Sequence, residues 1–323
     1  MTIPRRRFLH LAAAAAALPA VARPAAAQNY PARPIRWIIP YPAGGATDLV
    51  ARLMGQWLTE RLGQQVIIEN KPGGGTNIAV QAVVNSPPDG YTLLFFGSTN
   101  AINATLYEKL PFNFLRDITP VAALVGFTLV LEVNPSVPAR NVTEFIAYTK
   151  SNPGKVSVAS FGAATISHLA IELFKSMTGA DMVHVPYRGG AAIVTDLISG
   201  QVQAAFDALP SSLPHIRSGA LRALALTTRS SVLPDVPAIA DTVAGYEVST
   251  WLGVGVPKGT PPEIVERLNR EVNAGLANAG IKARLDEVGA MPIVYTPAEF
   301  AAYVAAETER WGKVVKMSGV KPE

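Results

Sequence analysis

Apolar positions along the chain keep two rhythms, and their alternation predicts the elements. The run Ile35-Arg36-Trp37-Ile38-Ile39 reads as a strand, and after it Leu49, Val50, Leu53, Met54, Trp57, Leu58 and Leu62 recur at helical spacing until Gly63 stops the helix. Val66-Ile67-Ile68 predicts a second strand. A glycine-rich loop, Lys71 to Asn77, then leads into a helix with Ile78, Ala79, Ala82 and Val83 inward, and Thr92 to Phe96 predicts a third strand running into Gly97-Ser98-Thr99-Asn100. This βαβαβ order implies a parallel sheet covered by helices.

The rhythm changes at Val121, where VAALVGFTLVLEVNPSVP is a long apolar run with no helix attached. It reads as a crossing into a second domain, in which the alternation resumes. Val156 to Ala159, Met182 to Val185, Gln203 to Phe206 and Leu221 to Leu226 predict strands; helices run through Leu169, Leu173 and Phe174 and from the loop Pro186-Tyr187-Arg188-Gly189-Gly190 to Ile198. A second apolar stretch, STWLGVGVP at Ser249 to Pro257, reads as the return crossing. Two crossings make two lobes with a cleft: residues 28–130 and 249–323 in lobe 1, and residues 131–248 in lobe 2. Near the end, Thr260-Pro261-Pro262-Glu263 and Thr296-Pro297-Ala298-Glu299 each predict a capping box, with threonine at the N-cap, proline at N1 and glutamate at N3.

Composition narrows the class. The 323 residues are long for one ordinary core, which favours two domains. There is no cysteine, which excludes disulfides, thiolate metal sites and cysteine nucleophiles. The formal charge of +4 invites a nucleic-acid reading, but its location removes it. Residues 1–27 have a basic start, an alanine-rich apolar stretch and Ala25-Ala26-Ala27, the layout of an export signal cleaved after Ala27. Arg5-Arg6-Arg7-Phe8-Leu9 resembles the twin-arginine motif; the other reading is an ordinary Sec signal with a basic start. Cleavage removes Arg5, Arg6, Arg7 and Arg23 of the 28 basic side chains and none of the 24 acidic ones, leaving a formally neutral chain. No polyanion-binding surface is indicated, and no later apolar run reaches the roughly 18 to 20 residues that span a bilayer.

The chemistry lies in the loops. Pro42-Ala43-Gly44-Gly45-Ala46-Thr47-Asp48 opens a helix with almost no side-chain bulk, at the carboxyl end of a strand, where open parallel sheets place ligands. The first N–H groups of a helix lack internal partners and sit at the positive end of its dipole, so a small anion can dock there on backbone donors. The other reading is a tight turn in which Thr47 or Asp48 caps its own helix. The design recurs at Gly73 to Asn77 (with Thr76), Gly97 to Asn100 (Ser98, Thr99), Gly162 to Ser167 (Thr165, Ile166) and Tyr187 to Gly190 (Arg188, Gly189). An exposed helix N-terminus offers an anion about 0.3–1 kcal/mol, and up to about 2 kcal/mol when partly buried. Several converging in one cleft approach the roughly 8 kcal/mol of micromolar binding.

Enzyme signatures are missing. No GxxxxGK[ST], GxGxxG, GxSxG or HExxH occurs, and beyond the export signal the only histidines are His168, His184 and His215, too scattered for a metal site. Ser167 and His168 are adjacent, which is poor geometry for a nucleophile and its base. No catalytic residue, metal or cofactor is indicated.

The stretches YPAGGATDLVAR, VIIENKPGGGTNIA, PPDGYTLLF, GAATISHLAIELF, VPYRGGAAIVTDLISGQVQAAF and WLGVGVPKGTP, in this order, resemble the Bug-type or TctC-type receptors of tripartite tricarboxylate transporters. The resemblance implies an α/β, two-domain class II periplasmic-binding-protein fold, with parallel-rich sheets, helices on both faces and a ligand cleft between the lobes. It also implies a monomeric periplasmic receptor that closes on a small carboxylate held by helix N-termini and bound waters. The partners it implies are membrane subunits of such a transporter, or alternatively a sensor protein. By motif it assigns Ala43 to Asp48 to one side of the cleft and Thr165 to His168 to the other. Ala164 and Thr165 stand where the family more often has glycine and serine. Asp207 matches an acidic family position near the cleft, read either as a ligand or hinge contact or as a loop cap. Arg188 is read either as a solvated loop charge or as a partner for a distal carboxylate. A periplasmic enzyme acting on a small organic acid is the rival reading.

Overall fold

The computed structural model describes residues 30–107 and 109–318, so the export signal lies outside the described residues. Lobe 1 begins with β1 (Ile35–Ile39), α1 (Ala46–Leu62), β2 (Val66–Asn70), α2 (Asn77–Val84), β3 (Thr92–Gly97), α3 (Ser98–Leu106), α4 (Phe114–Asp117) and β4 (Ile118–Phe127). The chain then enters the second sheet through β5 (Leu129–Val133), followed by α5 (Val142–Ser151), β6 (Ser157–Ser160), α6 (Ile166–Thr178), β7 (Val183–Pro186), α7 (Gly190–Ser199), β8 (Ala204–Ala208), α8 (Leu209–Arg217) and β9 (Arg222–Leu226). It returns through β10 (Thr250–Pro257), then α9 (Pro262–Ala277), α10 (Ala279–Glu287), β11 (Ala290–Pro292) and α11 (Pro297–Ser318).

The sheets have the orders β11-β4-β10-β3-β1-β2 and β7-β6-β8-β5-β9. In the first, β2, β1 and β3 are mutually parallel neighbours, as the βαβαβ order requires. The crossing strands β4 and β10 join antiparallel, because a strand that leaves for the other lobe and one that returns run in opposite senses. In the second sheet β7-β6-β8 are parallel and β5 joins antiparallel. The crossing is narrow: one residue, Thr128, separates β4 from β5. Its hydroxyl lies 3.1 Å from the Thr227 hydroxyl and accepts the Thr228 N–H, while Thr250 of the return strand donates to the Phe127 carbonyl beside it.

The apolar faces pack largely as their spacing predicts. Val50, Leu53, Met54, Leu58 and Leu62 of α1 are buried, and Gly63 closes the helix in the left-handed region at φ 71°. Leu49 is exposed. Ile78, expected inward, is 52% exposed; its side chain lies over the loop glycines Gly73 and Gly74, and the inner face of α2 is Ala79, Val80 and Val83. The predicted box at Thr296 forms: Thr296 N–H donates to Glu299, and Glu299 N–H to the Thr296 hydroxyl. The one at Thr260 does not. Pro262 forces the residue before it into an extended conformation, so Pro261 becomes the N-cap and the helix starts one residue late, leaving Thr260 to donate to the Pro257 carbonyl.

Phe96 lies at the centre of lobe 1, with Phe114, Trp251 and Phe300 rings 5.3–5.8 Å away. Glu307 of α11 accepts hydrogen bonds from both the Trp251 and Trp311 indoles, which clasps the C-terminal helix to β10. At the end of β3, a Cβ on Gly97 would lie 2.3 Å from the Trp251 carbonyl oxygen. Gly97→Ala is therefore expected to cost about 1–3 kcal/mol through backbone displacement. Gly45→Ala, whose Cβ meets nothing within 4 Å, is the control expected to stay near wild type; urea denaturation of both variants checks this.

Candidate ligand-binding cleft

The loop after β1 turns at Gly44, in the left-handed region at φ 91°, and Gly45 caps α1 without any side-chain bond. Asp48 does not supply that cap. Its carboxylate accepts the Gly44 N–H at 3.0 Å, Arg52 at 2.8 Å and Asn70 at 3.2 Å, so it shapes the loop from behind. Burial pushes its carboxyl up, and these hydrogen bonds outweigh burial to hold it below the usual carboxylate range.

The start of α3 is braced similarly. Asn100 accepts the Gly97 N–H and donates to Thr76, a residue held at φ 82°. The second glycine loop thus supports the third, and neither Thr76 nor Asn77 lines the cleft. At α6, Thr165 caps the His168 N–H, and His168 Nδ1 accepts the N–H of Ala164, which stands at φ 61°. The His168 ring stacks on His184 at 3.8 Å, and His184 bonds Ser160 at 2.7 Å. Burial, then the neighbouring His168 and Lys175, hold His184 down to about 3. Ser167 donates to the Phe206 carbonyl. Tyr187 donates to Asp196.

Between the sheets lies a cavity of about 200 Å³. Of the residues expected there, Ala43, Gly45, Ala46, Thr47, Ser98, Thr99, Asn100, Ile166, Arg188, Gly189 and Asp207 line it. Gly44, Asp48, Thr76, Asn77, Thr165, Ser167, His168 and Tyr187 do not; they hold the lining loops in place. Five helices bring their N-terminal ends to this space: α1 at Ala46, α3 at Ser98, α6 at Ile166, α7 at Gly190 and α8 at its N-cap Ala208. Two inter-lobe bonds tie it closed, Ala46 N–H to the Ser211 hydroxyl at 3.3 Å and Ile166 N–H to the Thr99 hydroxyl at 3.5 Å.

Sequence reasoning missed much of the wall. Tyr41, Phe95, Phe96, Phe127, Phe161 and Trp251 give the cavity its apolar surface. Nothing in the alternation marks which buried aromatics of a strand face a cleft. Ser211 was missed because Pro210 and Pro214 disguise α8 as a loop. Arg188 and Asp207 are the two charged residues among the lining ones, and Arg188 is exposed.

Asp207 is fully buried, and its carboxyl is pushed up to about 7 by burial, against hydrogen bonds from the Ala208 N–H and Ser212. Glu132, also fully buried, is raised well above the usual range by burial and then by Asp207. Ser212 donates to Glu132 at 2.7 Å.

Two sheets joined by crossing strands, with helix N-termini turned toward a cleft between them, define a two-lobed solute-binding protein. The sequence shows which kind. Residues 50–320 match the TctC family, described as the tripartite tricarboxylate transporter family receptor, and the chain belongs to it. It is 39% identical over 308 residues to protein BugT of Bordetella pertussis, covering 93% of this chain and 94% of that one. Among solved structures it is similar to R. palustris Rpa4515 with adipate, at 36% identity and a TM-score of 0.88, covering 91% of this chain and all of that one. It is also similar to MatC from Rhodopseudomonas palustris with bound malate, at 31% identity and a TM-score of 0.82, covering 88% of this chain and all of that one.

The buried Glu132 generates a pH-dependent prediction. The fold holds a proton that the unfolded chain releases above about pH 4.3, so this residue makes stability fall as pH rises beyond that value. Glu132→Gln keeps an oxygen for Ser212 and removes the titration, and is expected to raise the melting temperature more at pH 8 than at pH 5. Thermal melts at both pH values check it, and equal shifts would mean that Glu132 is ionised in the fold.

Proposed function

We propose that this protein is a periplasmic receptor that closes on a small carboxylate and presents it to the membrane subunits of a tripartite tricarboxylate transporter. The observation carrying this reading is the convergence of five helix N-termini on one largely apolar cavity. Such a site provides backbone donors and positive dipole ends for an anionic head and an apolar wall for the body of the ligand. Ala43 to Thr47 with Ser98 to Asn100 form one jaw, and Ile166, Arg188, Gly189 and Asp207 the other. The lobes that carry these jaws move about Thr128 and the start of β10. Arg188, the one cation of the lining, pairs with a distal carboxylate. Acids bound to relatives, adipate and malate, fit the same description. Family membership and the signal-like residues 1–27 support export to the periplasm.

A thermal-shift screen of organic acids on protein stripped of carried ligand by unfolding and refolding tests the reading. An acid at a hundred times its dissociation constant is expected to add about 2.7 kcal/mol of apparent stability. Stabilisation by none of a broad panel, or turnover of any acid, would reject it.

The same panel generates a second prediction about how the anion is held. Gly45 has open space around its Cβ position and an extended backbone at φ −90°, so Gly45→Val is expected to fold normally and to weaken binding more than tenfold by blocking the α1 donors. Arg188→Ala is expected to cost about 1–3 kcal/mol of binding, one charged hydrogen bond. Calorimetry on both variants decides. Normal binding by Gly45→Val with none by Arg188→Ala would mean that a salt bridge, not the helix termini, holds the ligand.

A further inference from the structure

The polar side chains around the cavity are nearly all engaged within the protein. Ser98 accepts the Trp251 N–H at 3.0 Å, and Thr250 donates to the Phe127 carbonyl. The Thr99 hydroxyl lies 3.1 Å from that of Tyr41 and accepts the Ile166 N–H, while Ser211 accepts the N–H of Ala46. Asn100 is committed to Gly97 and Thr76, and the Trp251 indole to Glu307. Asp207 is fully buried, with its oxygens taken by the Ala208 N–H and the Ser212 hydroxyl, so it offers a ligand no free carboxylate. The remaining polar side chains of the lining are Thr47 and Arg188, and Arg188 is exposed.

The surface left for the body of a ligand is apolar. Tyr41, in the loop after β1, and Phe161, in the loop after β6, meet edge to face across the cleft with ring centroids 6.0 Å apart. Ile166 continues that surface on lobe 2, and Trp251 and Leu252 continue it on lobe 1. A hydroxyl or ammonium group carried against such a wall gives up water and finds its would-be partners already bonded. The charges are equally restrictive. Helix starts receive one carboxylate and Arg188 a second, whereas a third carboxylate meets no further cation of the lining and an ammonium meets no free acid.

We infer that the ligand is a dicarboxylate with a bare hydrocarbon body, and that Phe161 and Ile166 make the cleft reject acids bearing hydroxyl, amino or further carboxylate groups. This rests on the receptor reading and narrows its ligand from carboxylates in general to one chemical class. Selectivity of this kind comes from the polar partners that are withheld as much as from the contacts that are made. Adding one hydroxyl or ammonium to an otherwise matched acid is expected to cost about tenfold or more in affinity, because the added group is buried without a partner. Hydroxylated tricarboxylates such as citrate combine two of the rejected features and bind weakest.

The test is calorimetry with acids matched in chain length: succinate against malate and aspartate, and glutarate against 2-hydroxyglutarate and glutamate. Adipate, benzene-1,4-dicarboxylate and citrate complete the set. Within each matched series the unsubstituted acid is expected to bind about tenfold or more tighter than its hydroxy and amino counterparts. Adipate and benzene-1,4-dicarboxylate carry the same chemistry on a chain and on a ring, and tight binding of either supports the inference while their ratio tells the two bodies apart. Phe161→Ser places a hydroxyl on the wall and is expected to weaken the unsubstituted acids and bring the ratio within each series toward one. Phe161→Leu, which keeps the wall apolar, is expected to retain the preference, and melts of both variants without ligand check that they fold. A hydroxy or amino acid that binds wild type as tightly as its unsubstituted parent overturns the inference and leaves the receptor reading intact, as does binding of citrate in preference to every hydrocarbon diacid. If no acid of this set or of the thermal-shift panel binds, the receptor reading itself fails.

Discussion

The unpaired N–H groups of helix first turns are the constraint around which this molecule is arranged. Such groups need either a partner or water. At α1 and α6 the chain answers with hydroxyls from the opposite lobe, Ser211 for Ala46 and Thr99 for Ile166. That answer works only if each helix begins at the rim facing the other sheet, which in turn requires the strand before it to end there. Small residues at the loop tips follow, because a Cβ at Gly44 or Gly189 already reaches the opposite jaw, at Ala191 and Pro42 respectively. The polar residues behind the loops, Asp48, Asn100 and His168, then accept the N–H groups of Gly44, Gly97 and Ala164 and so fix the course of the backbone.

Much of this was legible in the sequence because it depends on local chemistry. The strand-to-helix alternation, Gly63 as a helix stop, the capping box at Thr296 and the two crossings are each set by residues close together in the chain. What the sequence hid depends on contacts between distant segments. Thr76 and Asn77 look like another anion loop, yet Thr76 ends as the acceptor for Asn100. Ile78 carries the right spacing for the core but covers Gly73 and Gly74 instead. α8 is concealed by its prolines, and with it went Ser211 and the fifth helix start. The resemblance marked Asp207 as acidic and near a cleft, but its elevated proton affinity arises from burial, and Glu132, which shares Ser212 with it, lies in a crossing run that reads as plain strand.

The two lobes are joined with very little backbone. A single threonine separates strands that belong to different sheets, and its hydroxyl exchanges contacts with Thr227 and Thr228 on the neighbouring segment. Two hydroxyls meet there, and between them they accept the backbone N–H groups of Thr228 and Leu129, so the backbone on both sides of the crossing is paired by side chains rather than by a ladder.

The clasp between α11 and β10 sets an order for how the molecule is made. Trp251 forms part of the cavity wall, and its indole N–H is satisfied by Glu307, fifty-six positions further along. A ribosome that has just released β10 has produced the wall but not yet the carboxylate that fixes it, and Phe300, against which Trp251 packs, is also still to come. The cavity wall at Trp251 therefore depends on the last helix of the chain, and it is held by both an acceptor and a ring only when α11 is in place.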